Sequence, residues 1–437
     1  MWTYHPQLLA IPVPRYTSFP TAAEFGPGVT PSDYETALGA ASGDVSLYVH
    51  IPFCEKICWY CGCNTSAVNR PHRLTSYLDA LHREIALVGS SLAPNVRVKR
   101  VAFGGGSPNA LPPDDFLRLM DALAEAFPFD DPTVSVELDP RSLTDDWGPV
   151  IEAIGARHAS MGVQTFAPRL QQAIGRIQPL RMIERGVDLL RRAGIRSLNF
   201  DLMYGLPGQS RHDLSDALHR AENFGADRIA LFGYAHVPHL VPRQRRIDET
   251  ALPGQAERFA MAELGHRQLV AAGYRAVGFD HFALPGDPLE RAAADGSLRR
   301  NFQGFTDDQA PILIGLGASA IGSFPDLLVQ NEKNSGRYRM LLSQDILPVA
   351  HGIVRSADDR RRGSLIADLL CHGRANVDTD LAREVAGPIQ PFIDADLCHF
   401  EGSLLKIDAG GLPYARTIAA LFDPYRAHSS RRFSSAV

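Results

Sequence analysis

Six short apolar runs, rich in β-branched and aromatic residues, mark the first half of the chain at Val45–His50, Val98–Phe103, Thr133–Leu138, His158–Val163, Ser197–Leu202 and Asp227–Phe232. Between most of them apolar positions recur at helical spacing, over Leu74–Val88, Asp114–Phe127, Met182–Ala193 and His212–Phe224. Strands alternating with helices of roughly 10–15 residues predict βαβ units and a parallel sheet. Right-handed crossovers leave two arrangements open, a doubly wound sheet and a barrel.

The polar punctuation after each run carries more than the runs themselves. The first run leads into a cysteine cluster, the second into Gly104-Gly105-Gly106-Ser107-Pro108, and the third ends at Glu137-Leu-Asp139-Pro140. The fourth ends at Gln164, the fifth reaches Asp201 and then Tyr204-Gly-Leu-Pro-Gly208, and the sixth reaches Tyr234-Ala235-His236. In a parallel α/β barrel every strand ends on one face, and that face carries the active site. Six unusual strand ends would then converge on one mouth. Further along the rhythm loosens: 255–272 reads as a helix, Gly278–Phe282 and Arg300–Gly304 as loops, and 360–437 as mostly helical with a short hairpin near 403–415.

Composition narrows the class. The chain has 437 residues, 45% of them hydrophobic and 21% charged, enough for a large core and two or three domains. A net charge of −5, from 49 acids against 44 bases, argues against a surface given over to nucleic acid. The best apolar stretch, Ala310–Gly322, is too short to span a membrane and is broken by Pro311 and several glycines. The first residues show no basic segment followed by an apolar one, so a cytoplasmic protein without a membrane partner is expected.

Of six cysteines, four fall within residues 54–63, and Cys371 and Cys398 read as ordinary buried thiols. Clustered thiols in a large cytosolic chain point to metal binding or catalysis rather than a disulfide scaffold. Cys54-x3-Cys58-x2-Cys61 offers three thiolates on one loop, enough for three irons of a 4Fe-4S cube with the fourth left open. The competing reading is a structural zinc site, which ordinarily needs a second, distant ligand pair that is missing here. Gly104–Gly106 would let a ligand approach the backbone, or form a plain tight turn; the spacing fits neither the Rossmann nor the P-loop fingerprint. Glu137 and Asp201 could receive hydroxyls or an amino group, or simply cap a turn. Arg176, Arg243, Arg245, Arg246, Arg299 and Arg300 could each grip a carboxylate, although a solvated surface is the plainer account for most.

The segment Tyr48-Val-His-Ile-Pro-Phe-Cys54-Glu-Lys-Ile-Cys58-Trp-Tyr60-Cys61-Gly-Cys63-Asn resembles the radical S-adenosylmethionine (SAM) signature and, more narrowly, that of the oxygen-independent coproporphyrinogen III oxidases. The likeness runs through Pro14–Thr21, Met161–Gln164 with Arg176, Asp201–Pro207, Tyr234–Pro238, Gln244-Arg245, Asp280–Ala283, Arg300–Gly304 and the terminal Arg432–Ser434. It implies an α/β fold: a partial six-stranded (β/α)6 radical SAM barrel over 45–345, an N-terminal substrate-proximal segment over 1–44 and a mostly helical C-terminal domain over 346–437. It implies a 4Fe-4S cluster on Cys54, Cys58 and Cys61, and two SAM molecules. Tyr48, Gly105, Glu137 and Ile321 would contact the cluster-bound SAM. Tyr60, Gly106, Ser107, Gln164, Arg176, Asp201 and Ala235 would contact the second, with Gln303 near the same site. Cys63 would be needed for activity without binding iron.

The implied reaction is oxidative decarboxylation of two propionates of coproporphyrinogen III to vinyl groups, giving protoporphyrinogen IX through a 5′-deoxyadenosyl radical. A low-potential electron donor of flavodoxin or ferredoxin type and a monomeric state go with it. Four propionates are costly to desolvate unpaired, so arginines are expected around the substrate, with Arg15 and Arg245 the candidates. Asn109 stands where Thr is expected, Tyr60 where Phe is more familiar, and Ser435 where the tail is commonly basic. Three other readings compete. A haem chaperone of a sister branch would lack Cys63 and the Arg-Tyr-Thr-Ser segment, both present here; an RNA-modifying enzyme would carry a basic domain; a zinc protein would hold no iron.

Overall fold

The computed structural model describes residues 1–68 and 71–428, so Arg432–Ser434 and Ser435 lie outside the described residues. The six predicted strands are β1 (Gly43–Ile51), β2 (Val96–Gly105), β3 (Phe129–Leu138), β4 (His158–Gln164), β5 (Ser197–Tyr204) and β6 (Arg228–Gly233). They lie side by side in chain order and every neighbouring pair is parallel. A doubly wound sheet reverses strand order at a switch point, whereas a barrel winds steadily one way. The steady order settles the choice left open by periodicity. The helices between, among them Pro71–Ser91, Pro113–Ala126, Leu180–Arg192 and Arg211–Asn223, cover the outer face.

The barrel is partial because each edge is extended rather than joined. Beside β6 lie two short strands, β7 (Arg275–Val277) and β8 (His281–Ala283), with β8 antiparallel to both. Beside β1 lies β9 (Ile312–Leu316), parallel to it, followed by antiparallel β10 (Ile321–Ser323), β11 (Leu327–Asn331) and β12 (Val349–Val354). Twelve strands thus form one sheet in the order β12-β11-β10-β9-β1-β2-β3-β4-β5-β6-β8-β7. Two segments read as loops are strands: His281–Ala283 pairs with β6, and Arg299–Asn301 forms a hairpin with Gly304–Thr306. Three-residue strands show too few positions for a period of two to register.

Because β12 still pairs in this sheet, the C-terminal lobe proper begins with the helix Ala357–His372, which Ser356 and Asp359 start with a capping box. This helix and Thr379–Ile393 accompany three short antiparallel strands, Arg374–Asn376, Cys398–Glu401 and Leu404–Ile407. The hairpin turns at Gly402-Ser403, with φ of 63° at Gly402, and its second strand Leu404–Ile407 lies within 403–415, where Ala409–Tyr414 is then a 3-10 turn. Cys371 and Cys398 are buried here. Leu9, Val13, Tyr16 and Phe19 from the chain's start pack into this same lobe against Leu369, Ile418 and Phe422. Among the described residues no helix is long and apolar enough to cross a membrane.

Candidate active site

Alternation along the strands separates a packing face from a working face. Val45, Leu47, Val49 and Ile51 of β1 join the main core with Val134, Val136, Leu198, Phe200, Ile229 and Leu231. The residues between them, including Tyr48, Glu137, Ser160, Asn199, Asp201 and Phe232, point the other way, into the barrel. There Glu137, Ser160, Asn199, Asp201, His281 and Gln303 line a cavity of ≈ 300 Å³.

The glycine run after β2 is demanded by crowding. A side chain at Gly104 would lie 2.7 Å from the Glu137 carboxyl carbon, and one at Gly106 would lie 2.5 Å from the Phe53 carbonyl oxygen. Gly105 has φ of 106° and a Cβ there would strike the His50 ring. The Gly105 N–H donates to Glu137 Oε2 at 3.2 Å, the Gly106 N–H to the Ile51 carbonyl and the Ser107 N–H to the Phe53 carbonyl, both at 2.8 Å. These amides are spent on holding the loop. Ser107 Oγ donates to Asn109 Oδ1 at 2.7 Å, and Asn109 Nδ2 donates to the Asp139 carbonyl at 2.9 Å. The Asn109 substitution noted above thus joins the end of β2 to the end of β3.

The cysteine loop starts from a two-residue strand, Phe53–Cys54, paired with Ser66–Ala67. Cys54 and Cys58 are buried, Cys61 is half-buried and Cys63 is exposed. The hydrogen bond with Cys63 lowers the Cys61 thiol below its ordinary value, while burial pushes Cys54 up to about 12. Cys58 Sγ receives Arg176 Nη1 at 3.2 Å and Arg141 Nη2 at 3.1 Å. Both guanidinium groups also pair with Asp139, at 3.2 Å and 2.6 Å. Burial works against the Asp139 carboxylate, but Arg176 and Arg141 outweigh it and hold its pKa below the ordinary range.

Among the described residues no three His, Cys, Asp or Glu side chains gather closely enough to hold a single metal ion. A cube asks for something else, since each thiolate binds its own iron. The donor set suits that: three thiols on one loop, one of them in contact with two guanidinium groups.

A 3-10 turn, Pro242–Arg246, ties this loop to the end of β6. Gln244 Nε2 donates to the Tyr60 carbonyl at 2.8 Å and to the Ala235 carbonyl at 3.1 Å, and Arg243 Nη2 donates to the Cys63 carbonyl at 3.1 Å. The Tyr60 side chain packs beside Ile174, Met203 and Tyr234. Gln164 ends β4 in the left-handed region, with φ of 65°.

Two buried carboxylates share the cavity. Burial first, then the Asp201 charge, raises Glu137 to about 7. Burial also raises Asp201, against hydrogen bonds from Asn199 at 2.8 Å and Ser160 at 3.2 Å. Tyr48 Oη lies 3.1 Å from His50 Nδ1, and burial lowers His50 to about 4, leaving it neutral. The Tyr48 ring meets Phe302 edge-on at 4.6 Å. Ile321 stands apart from Glu137 and Asp201: with Phe302 it lines an adjoining cavity of ≈ 460 Å³, and Asn301 borders both cavities.

Sequence reasoning missed Arg141 and Gln244. Arg141 follows Asp139-Pro140 at a strand end, which is the local signal for it, whereas Gln244 stands in the sequence only within the Gln244-Arg245 part of the family likeness. Arg245 is exposed, so it is no candidate for the cavity, whereas Arg15 borders a pocket beside Phe232.

The family model for the radical SAM superfamily matches residues 48–221. The oxygen-independent coproporphyrinogen III oxidase of Bradyrhizobium diazoefficiens is 39% identical, covering 97% of each chain. That of Pseudomonas aeruginosa is 36% identical, over 97% of this chain and 96% of its own. The solved structure of coproporphyrinogen III oxidase from Escherichia coli, described as a radical SAM enzyme, superposes with a TM-score of 0.91 at 32% identity, over 97% of this chain and 99% of that one. With the cysteine loop, the glycine cradle and the paired carboxylates all at one barrel mouth, the chain belongs to the oxygen-independent coproporphyrinogen III oxidases of the radical SAM superfamily.

Proposed function

We propose that this enzyme converts two propionate side chains of coproporphyrinogen III to vinyl groups, without oxygen, to give protoporphyrinogen IX. The observation that carries the reading is the match to enzymes of that name along 97% of both chains. Each side chain loses a hydrogen atom from its β-carbon, then carbon dioxide and one electron. The radical SAM family works with a 4Fe-4S cluster and SAM; once bound, the cluster supplies the electron that lets SAM deliver a hydrogen-abstracting radical.

The chain's own residues place and shield that chemistry. Cys54, Cys58 and Cys61 would hold the cluster, with Arg141 and Arg176 hydrogen-bonded to Cys58 Sγ. Tyr48, Gly105, Glu137 and Ile321 would contact one SAM. Tyr60, Gly106, Ser107, Gln164, Arg176, Asp201 and Ala235 would contact a second, with Gln303 across the cavity. A cationic ligand returns Glu137 from its raised pKa to a carboxylate. The 299–306 hairpin lines the inner cavity through Asn301, Gln303, Phe305 and Thr306, and would help to keep water from the reacting carbon.

The test is anaerobic turnover by cluster-loaded protein with SAM, a low-potential reductant, an electron acceptor and coproporphyrinogen III, followed by chromatography. Protoporphyrinogen IX with 5′-deoxyadenosine, lost in Cys54→Ala, is expected. Haem binding and SAM cleavage without a vinyl product would overturn the reading.

A further inference from the structure

Four arginines converge at the barrel mouth. Arg15 comes from the N-terminal segment, Arg258 from the helix Gln255–Ala271, Arg300 from the hairpin beside β8 and Arg416 from the C-terminal lobe. Arg416 is buried and the other three are half-buried. They are close enough that the Arg15 charge works against Arg258, Arg300 and Arg416 alike. Burial, with Arg15 next, lowers Arg416 to about 10. The Asp280 carboxylate acts on Arg15, Arg300 and Arg416, and it is already hydrogen-bonded to His281 at 2.7 Å. Arg258 Nε and Arg300 Nη1 are buried with no hydrogen-bond partner among the described residues. Buried cations left this way are costly, and an anion would relieve them.

The space between them has a size. Arg15, Arg258 and Arg416 border a pocket of ≈ 40 Å³, room for a carboxylate and far too small for a tetrapyrrole. Its wall includes Phe232, which also lines the larger cavity containing Glu137 and Asp201. An anion bound here could therefore be one arm of a molecule that lies in the larger cavity.

We propose that Arg15, Arg258 and Arg416 receive one propionate carboxylate of the substrate, and that this arm is an anchor rather than one of the two that react. The inference rests on the tetrapyrrole reading above and gives the substrate an orientation. A carboxylate that leaves as neutral carbon dioxide would forfeit these charge-assisted bonds on the way to the transition state, so gripping it would slow its loss. Gripping a spectator carboxylate costs nothing at the reacting carbon.

The test titrates coproporphyrin III, the stable oxidised form of the substrate, into cluster-loaded enzyme, with its tetramethyl ester as the uncharged control. Arg258→Gln and Arg416→Gln should each weaken coproporphyrin III binding by about tenfold or more. Ester binding, cluster absorbance and SAM affinity should stay near wild type. Arg258→Lys, which keeps the charge and loses the fork, should recover part of the affinity. If either glutamine variant loses its cluster, the lysine variant decides: weaker porphyrin binding by about threefold supports the pocket, and unchanged binding sinks it. Wild-type turnover with unaltered coproporphyrin III affinity in both glutamine variants overturns the inference and leaves the function standing. A wild type that binds SAM but neither binds nor converts the porphyrin overturns the function, and the inference with it.

Discussion

Replacing Gly105 with alanine drives a methyl group into the His50 ring at a backbone φ of 106°. Strain of this kind costs about 1–3 kcal/mol, and Glu137 would lose its amide donor as the loop shifts. The expected result is a lower unfolding midpoint and weaker SAM binding by calorimetry; a variant matching wild type in both would refute it. Arg141 offers a cleaner electrostatic test. It stands 3.1 Å from Cys58 Sγ, so Arg141→Met removes a cation beside one cluster ligand. A nearby positive charge favours the reduced cluster, and its loss should move the reduction potential down by something on the order of tens of millivolts. Spectroelectrochemistry with Arg141→Lys as control reads this directly, and a potential that does not move would show that Arg176 alone sets the local field. Arg141 escaped the sequence because its partner is 83 positions away. The cysteines did not escape, because clustering is visible in the chain itself.

At the scale of elements, what could be read was what repeats locally. All six barrel strands are legible as short apolar runs set between segments of helical spacing. The three-residue strands β7, β8 and β10 are too short to be read in this way, and they form because neighbouring edges need partners. Glu84 shows another contact that no local pattern announces. It sits on the helix Pro71–Ser91 and accepts hydrogen bonds from the Gly317 N–H, Asn331 and Tyr338, joining that helix to the edge of the sheet. Burial raises its pKa to about 7 from 4.5, outweighing the donors that favour the carboxylate. The folded chain therefore holds a proton that the unfolded chain releases. The resulting stabilisation is complete below pH about 4.5 and is lost as pH rises through about 7, a change on the order of 3 kcal/mol. Denaturant unfolding of the cluster-free protein at pH 5 and pH 8 should show this loss, and Glu84→Gln should remove about half of the difference, because buried Glu137, also raised to about 7, adds a similar share. An equal pH dependence in the two proteins would mean that Glu84 is charged throughout.

The whole molecule is closed by its two ends, and here the sequence was nearly silent. Apolar residues at positions 9, 13, 16 and 19 share no α-helix or strand, Leu9 merely ending a 3-10 turn over Pro6–Leu9, yet they complete the C-terminal lobe's core. The Tyr16 hydroxyl donates to Asp423 Oδ2 at 2.9 Å, and the Tyr414 hydroxyl donates to the Thr3 carbonyl at 2.7 Å. The lobe therefore fixes the segment that carries Arg15, so on the proposed role of Arg15 its packing would bear on substrate binding. Leu9 is 1% exposed, so Leu9→Ala should lose about 2–4 kcal/mol of stability through the cavity it leaves. The loss should fall on the lobe while the visible absorbance of the cluster, held by the barrel, persists to higher denaturant than the lobe's circular dichroism. Loosening the segment should also raise KM for coproporphyrinogen III with SAM affinity intact, because Arg15 would be held less firmly at the mouth. Simultaneous loss of absorbance and helicity would show instead that barrel and lobe unfold as one unit. An unchanged KM alongside a destabilised lobe would place Arg15's position under the control of its own contacts with Phe232 and the Gly233 carbonyl rather than of the lobe.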